Sequence, residues 1–206
     1  MKTPWKIYIL ILVISINTPS SAFAHPHMWI RGQILPEVGS PGLEGIHVIW
    51  NIDELTSADL NLYYDSNQNG ELSSDEVEAL RLGAFEHLSE NDYYLLVDVD
   101  GKLSALSEAE DFLAQIEDGH LIYYFFVPLQ KPIPWDNLKS LQIYYFDVTY
   151  FIDFRPEDIS PVTVSYENYN IDFQPAHEKL KSNYYGMIEV NGLKVNSVKK
   201  GGVLQP

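Results

Sequence analysis

Asp65-Ser66-Asn67-Gln68-Asn69-Gly70-Glu71-Leu72-Ser73-Ser74-Asp75-Glu76 fits the twelve-position calcium loop of an EF-hand at every position, and helical patterns flank it on both sides. Calcium is a hard cation that prefers oxygen. Asp65, Asn67 and Asn69 would give side-chain oxygens at positions 1, 3 and 5, Glu71 its backbone carbonyl at 7, Ser73 position 9 through water, and Glu76 both carboxylate oxygens at 12. Gly70 stands where the chain must turn with positive φ. Ordinary turns are also rich in Asp, Asn, Ser and Gly, and Ser73-x-x-Glu76 alone is a helix capping box that needs no metal. A turn, however, does not require Glu at the twelfth place. Nor does it require Leu55, Ala58 and Leu62 before it and Val77, Leu80, Ala84 and Leu88 after it at helical spacing. Only Asp65 and Glu76 among the side-chain ligands carry charge, which places the expected affinity at about 10⁻⁴ to 10⁻³ M and suits a structural site.

Outward from the helices the period changes to two. Residues 28–38 and 45–52 read as strands before the helical pair. After it, residues 93–99 and 102–106 form a hairpin across Asp100-Gly101, and residues 112–117 and 121–129 form another across Asp118-Gly119. Short strands rich in aromatic and β-branched residues follow at 141–148, 150–154, 162–166 and 169–173. The expected fold is therefore α+β: an antiparallel β-sandwich or strongly twisted sheet carrying an inserted EF-hand-like helix-loop-helix pair at residues 54–89. With no second calcium loop in the sequence, the sheet or a second copy must take the place of the usual EF-hand partner.

The amino terminus reads as a secretory signal: Lys2 and Lys6, an apolar run from Ile7 to Ile16, and Ala22-Phe23-Ala24 as the cleavage site. The run is shorter than the roughly 20 residues a membrane helix needs, so stable membrane insertion of the mature chain is not expected. Cleavage after Ala24 would leave 182 of 206 residues and, because Lys2 and Lys6 go with the leader, deepen the net charge from −16 to −18. Such a surface disfavours nucleic acid and anionic lipid. The absence of cysteine excludes disulfides and thiolate zinc sites. Residues 25–174 read as one domain, and 175–206 as an extension with a small hairpin across Asn191-Gly192 and a frayed tail.

Cleavage would also make His25 the first residue, followed by Pro26 and His27. Alternate residues of an extended chain face one side, so both imidazoles and the α-amine can approach one ion such as zinc, nickel or cobalt. Pro26 has no amide proton to lose, which excludes the amino-terminal copper and nickel site built on deprotonated amides. Asp147, in Asp147-Val148-Thr149-Tyr150-Phe151-Ile152-Asp153, is a third candidate ligand, or else the cap of a turn. His27 would otherwise be an ordinary strand residue. His47, His87, His120 and His177 show no ligand spacing.

Several segments together resemble a family of uncharacterised periplasmic proteins, the periplasmic component of an ABC-type transport system. They are His25-Pro26-His27-Met28-Trp29-Ile30, Trp50-Asn51-Ile52-Asp53-Glu54, the calcium-type loop, Val97-Asp98-Val99-Asp100-Gly101-Lys102 and Phe146-Asp147-Val148-Thr149-Tyr150-Phe151-Ile152. Val148 departs from the family's Asp-Pro-Thr-Tyr at that point. The resemblance implies a periplasmic location, a nickel, cobalt or zinc permease of the inner membrane as partner, and no catalytic residues. The sequence also carries no nucleophile elbow, helical zinc-hydrolase motif or phosphate-binding glycine loop, so an enzyme is not expected. The leading expectation is a periplasmic calcium-binding accessory to transition-metal transport. The alternatives are a calcium-stabilised β-sheet module docking to an envelope protein or polymer, and a copper histidine-brace enzyme starting at His25.

Overall fold

A computed structural model describes residues 26–40, 42–136, 138–155, 160–166 and 169–200. The signal segment and His25 lie outside the described residues, as does the tail beyond residue 200. Strand β1 (Met28–Val38) pairs antiparallel with β2 (Gly42–Ile52). Helices α1 (Glu54–Tyr64) and α2 (Ser74–Leu80) follow, then a π-helical turn at Arg81–Phe85 and a kinked 3-10 segment at Glu86–Tyr94. The remaining strands are β3 (Leu95–Val99), β4 (Lys102–Leu103), β5 (Glu110–Glu117), β6 (His120–Pro134), β7 (Leu141–Tyr145), β8 (Ile152–Arg155), β9 (Val162–Tyr166), β10 (Tyr169–Lys181) and β11 (Met187–Lys200).

The strands form two sheets, ordered β5-β6-β2-β1-β8 and β4-β3-β7-β11-β10-β9, in a mostly-β, sandwich-like arrangement. Alternation explains which side of each strand is buried. In β1, Ile30, Gly32, Ile34 and Val38 face the core, and in β2 Ile46, Val48, Trp50 and Ile52 do. Pro36 is tolerated because β1 pairs with β8 only from Met28 to Arg31, so at Pro36 no strand lies on that side among the described residues. The sheets meet where Tyr145 of β7 lies against Gly32 of β1: a Cβ at Gly32 would stand 2.6 Å from the ring. The Tyr145 hydroxyl donates to the Gln33 carbonyl at 2.8 Å, and burial pushes its pKa up. Trp50 sits beside it, with Phe125 at 5.1 Å and Phe154 at 5.5 Å between ring centroids.

Both Asp-Gly hairpins form with positive φ at both turn residues, 53° and 82° at Asp100-Gly101 and 49° and 84° at Asp118-Gly119. Four expectations need correction. The first sheet is not purely antiparallel, because the chain leaves β7, turns at Asp147 and enters β8 parallel to β1. Asn191-Gly192 is not a turn but the middle of β11, and Gly192 is required because a Cβ there would lie 1.8 Å from the Ile143 carbonyl. β10 runs through Pro175, so residues 175–200 belong to the second sheet. The apolar stripe of α1 is also reversed. Leu55 and Leu62 are 70% and 69% exposed, while Ser57 is fully buried, donating to the Ile52 carbonyl at 3.0 Å and accepting from Leu121 N–H at 2.9 Å. Those two hydrogen bonds seat α1 on the ends of β2 and β6 and outweigh its apolar pattern.

Candidate functional site

Residue 65 ends α1, and Ser73 caps α2. Asp53 caps the other end of α1, accepting from Leu55, Thr56 and Trp29 N–H. Desolvation alone would raise the Asp53 carboxyl, but the Trp29 and Thr56 bonds outweigh it and hold it below its ordinary range. One residue therefore fixes α1 to both β2 and β1.

Between the helices the loop coils around its own oxygens. Asp65, only 6% exposed, accepts from Asn69 N–H at 3.1 Å and Gly70 N–H at 2.8 Å. The Asn67 Oδ1 accepts from Asn69 N–H at 3.0 Å, and the Asn69 Oδ1 from Glu71 N–H at 2.9 Å. Gln68 and Gly70 turn the backbone with φ of 55° and 81°. Leu72 packs half-buried against the core. Backbone donors thus hold successive oxygens in place, while each of these oxygens retains acceptor capacity.

Glu76, 7% exposed, closes the loop. Its Oε1 accepts from Ser66 N–H at 2.8 Å and the Ser66 hydroxyl at 2.6 Å, and its Oε2 from Ser73 N–H and hydroxyl, both at 2.9 Å. The Ser66 hydroxyl bond, followed by the Ser73 bonds, lowers its pKa from 4.5 to about 2. The donor set is entirely oxygen, which fits a hard cation. Bidentate contact from Glu76 would require the two serine hydroxyls to release it. Ser66 carries no ligand role at position 2 of the loop pattern, so nothing in the spacing singles it out.

The transition-metal candidates are arranged differently. His25 lies outside the described residues. His27 is exposed at the head of β1; its N–H donates to the Phe151 carbonyl at 2.9 Å, and its ring packs on Phe151 at 5.1 Å. Asp147 is 4% exposed, and its carboxylate knits its own turn. Its Oδ1 accepts from Thr149 N–H and hydroxyl at 2.8 and 2.7 Å, and its Oδ2 from Ile152 N–H at 2.9 Å. Among the described residues, no three His, Asp or Glu side chains gather into a metal-binding group. His47 contacts Glu37 at 3.1 Å, the His120 Nδ1 donates to the Ile52 carbonyl at 2.8 Å, and His177 meets Asn191 at 2.6 Å, so these three rings have local partners.

A two-sheet protein whose helical pair encloses an oxygen-lined loop defines the class. More specifically, residues 10–186 match the family described as protein of unknown function DUF1007, and the chain belongs to that family. It is similar to an uncharacterised protein of Haemophilus influenzae, 29% identical over 149 residues that cover 71% of this chain and 69% of the relative. It is also similar to an uncharacterised 15.5 kDa protein from the trpE 3' region of Spirochaeta aurantia. There the identity is 29% over 101 residues, covering 49% of this chain and 71% of the relative. Among the described residues no helix is long and apolar enough to cross a membrane.

Proposed function

We propose that this is an exported calcium-binding protein whose EF-hand-type loop, held by α1 and α2, fastens the helical pair to the end of the sandwich. The observation that carries the reading is the pairing of two buried carboxylates, Asp65 and Glu76, at the ends of a loop in which backbone N–H groups also fix the side-chain oxygens of Asn67 and Asn69. Asp65, Asn67, Asn69, the Glu71 carbonyl and Glu76 would hold the ion, with Ser73 reaching it through water. The chain's own contribution is positional: Asp65 fixes the turn through Asn69 and Gly70, and Glu76 ties the turn to the first residues of α2. Calorimetric titration of the protein beginning at His25 should give a calcium Kd of about 10⁻⁴ to 10⁻³ M, with magnesium weaker. Asp65→Asn with Glu76→Gln should abolish the calcium heat. No saturable heat from the parent protein up to about 10 mM calcium, well above the Kd range for such modules, overturns the reading.

Within a periplasmic setting, the wider role is assistance to zinc, nickel or cobalt traffic beside an inner-membrane permease. The favourable observation is the position of His27, exposed at the head of β1 with its ring tilted against Phe151, next to the residue that cleavage would expose. In this reading His25 and His27 are the primary ligands and Asp147 supports the turn beneath them. Zinc affinity that is unchanged by His25→Ala with His27→Ala removes this role and leaves the calcium reading intact.

A further inference from the structure

The chain crosses from the first sheet to the second between β6 and β7, and a cleft of about 350 Å³ opens beside that crossing. Trp135, the residue after β6, forms part of its wall and is only 5% exposed. The Trp135 Nε1–H is buried and meets no acceptor among the described residues. The segment that follows is anchored by the β3–β4 turn. The Asp100 Oδ1 accepts from Lys139 N–H at 3.0 Å and Ser140 N–H at 2.7 Å, and Asp100 N–H donates to the Ser140 carbonyl at 3.1 Å. The second sheet contributes Asn196 of β11, the extra residue of a β-bulge where the register against β10 slips between Asp172 and Phe173. Its Nδ2 donates to the Asp172 Oδ2 at 3.0 Å, which leaves the amide oxygen its acceptor capacity. Tyr169 of β10 adds a second aromatic ring, its hydroxyl donating to the Asp136 Oδ1 at 3.3 Å.

This lining selects against most ligand classes. Among the described lining residues the charged side chains are Asp136 and Lys139, which cancel, so the cleft is formally neutral in a chain of net charge −16. An ion of either sign would leave water without a surplus of opposite charge to receive it. A purely apolar ligand would cover Ser140 and Asn196 and still leave the Trp135 N–H without an acceptor, and burying polar groups unpaired is costly. A hydroxyl both donates and accepts, so a ligand with several hydroxyls can serve an indole N–H, a serine hydroxyl and an amide together. Aliphatic side chains of β7 and β11 and the two aromatic residues supply contact for C–H groups. The volume lies at the small end of the range for ligand clefts, which suits a single sugar ring.

We propose that this cleft binds a pyranose sugar, with the Trp135 Nε1–H, the Ser140 hydroxyl and the Asn196 amide as its hydrogen-bond partners. Free monosaccharides and the units of a polysaccharide share that chemistry, and chain length distinguishes them. The probes are D-glucose, D-galactose and N-acetyl-D-glucosamine, with the trimers of glucose and of N-acetyl-D-glucosamine, each titrated by ligand-observed NMR into the protein beginning at His25. Saturable binding of any of them supports the site. A trimer that binds more tightly than its monomer identifies a polymer as the source, and equal or lower affinity identifies the free sugar. Ser140→Ala and Asn196→Ala should each weaken binding about fivefold, the worth of one hydrogen bond, while circular dichroism shows the fold retained. Trp135→Phe keeps a ring, removes the donor and should weaken binding by a similar factor. No saturable binding of any probe up to about 30 mM, beyond weak millimolar affinity, overturns the proposal. Affinity unchanged in Ser140→Ala or in Asn196→Ala does so equally. So does tighter binding of glucosamine or glucuronate than of glucose, because the cleft would then be built for a charged ligand.

Discussion

Asp65 and Asp147 are both buried carboxylates that accept backbone N–H bonds inside a turn, and both stood among the metal-ligand candidates. Their surroundings differ. Asp147 receives its bonds from Thr149 and Ile152, and the neighbouring Thr149 hydroxyl, which accepts from Phe151 N–H at 3.3 Å, gives its own proton to Asp147. Asp65 begins a series in which Asn67 and Asn69 are fixed in the same way, with Glu76 closing the far end. A single buried carboxylate with backbone donors is complete as a structural element. In the proposed reading the succession of fixed oxygens that begins at Asp65 would surround a calcium ion, whereas the Asp147 carboxylate fastens its own turn.

The largest effect should come from breaking the Asp147 turn. Asp147→Ala leaves the Ile152 and Thr149 N–H groups without their acceptor at the crossing from β7 to β8. Bonds to charged groups and buried unsatisfied donors are each worth one to a few kcal/mol, so a loss of about 3 kcal/mol is expected. Denaturant unfolding should report the same loss with calcium and with chelator. A loss below about 1 kcal/mol, less than a single charge-assisted bond is worth, would return Asp147 to the metal candidates, especially if zinc affinity fell with it.

This comparison also marks what the sequence could reveal. The turn between α1 and α2 was legible because its end residues lie close in sequence, Asp65 at the end of α1 and the Ser73 capping box at the start of α2. The Asp-Gly hairpins were legible for the same reason: two adjacent residues set the turn. The parallel pairing of β1 with β8 depends on residues more than a hundred positions apart, and no local period encodes it. Gly192 resembles a turn residue until the Ile143 carbonyl is known to lie against it. In α1 the sequence pattern pointed Leu55 and Leu62 inward, but the polar bonds of Ser57 to two strand ends reversed the helix, and one of those partners, Leu121, lies 64 positions away. The cleft beside Trp135 was hidden by the same kind of separation, because its lining joins the end of β6 to β7, β10 and β11.

Acid should separate the two regions next. The Glu76 pKa is lowered from 4.5 to about 2 in the folded protein. A depressed carboxyl contributes stability that is fully present above the ordinary value and is lost as pH falls through the folded one. The loop's contribution should therefore fade between about pH 4.5 and pH 2, and Glu76→Gln should flatten that part of the stability profile measured in chelator. An unchanged slope in Glu76→Gln would mean that the serine bonds do not hold the carboxylate in the calcium-free protein.

Ser66 offers the smallest and most discriminating change. Its hydroxyl occupies a lone pair of the Glu76 Oε1 at 2.6 Å, where calcium would require one, yet it supplies no ligand itself. Ser66→Ala removes the competitor while the Ser66 backbone bond can persist at 2.8 Å. Calcium should bind about threefold more tightly, equivalent to about 0.6 kcal/mol, while stability in chelator falls by a similar amount. Ser73→Ala should not repeat the gain, because Ser73 competes for Glu76 but, in the proposed site, would also reach the ion through water at position 9. Weaker calcium binding in Ser66→Ala would show that the hydroxyl aligns Glu76 for the ion. The clasp would then prepare the loop for calcium, and the contrast with the self-sufficient Asp147 turn would narrow to the choice of occupant.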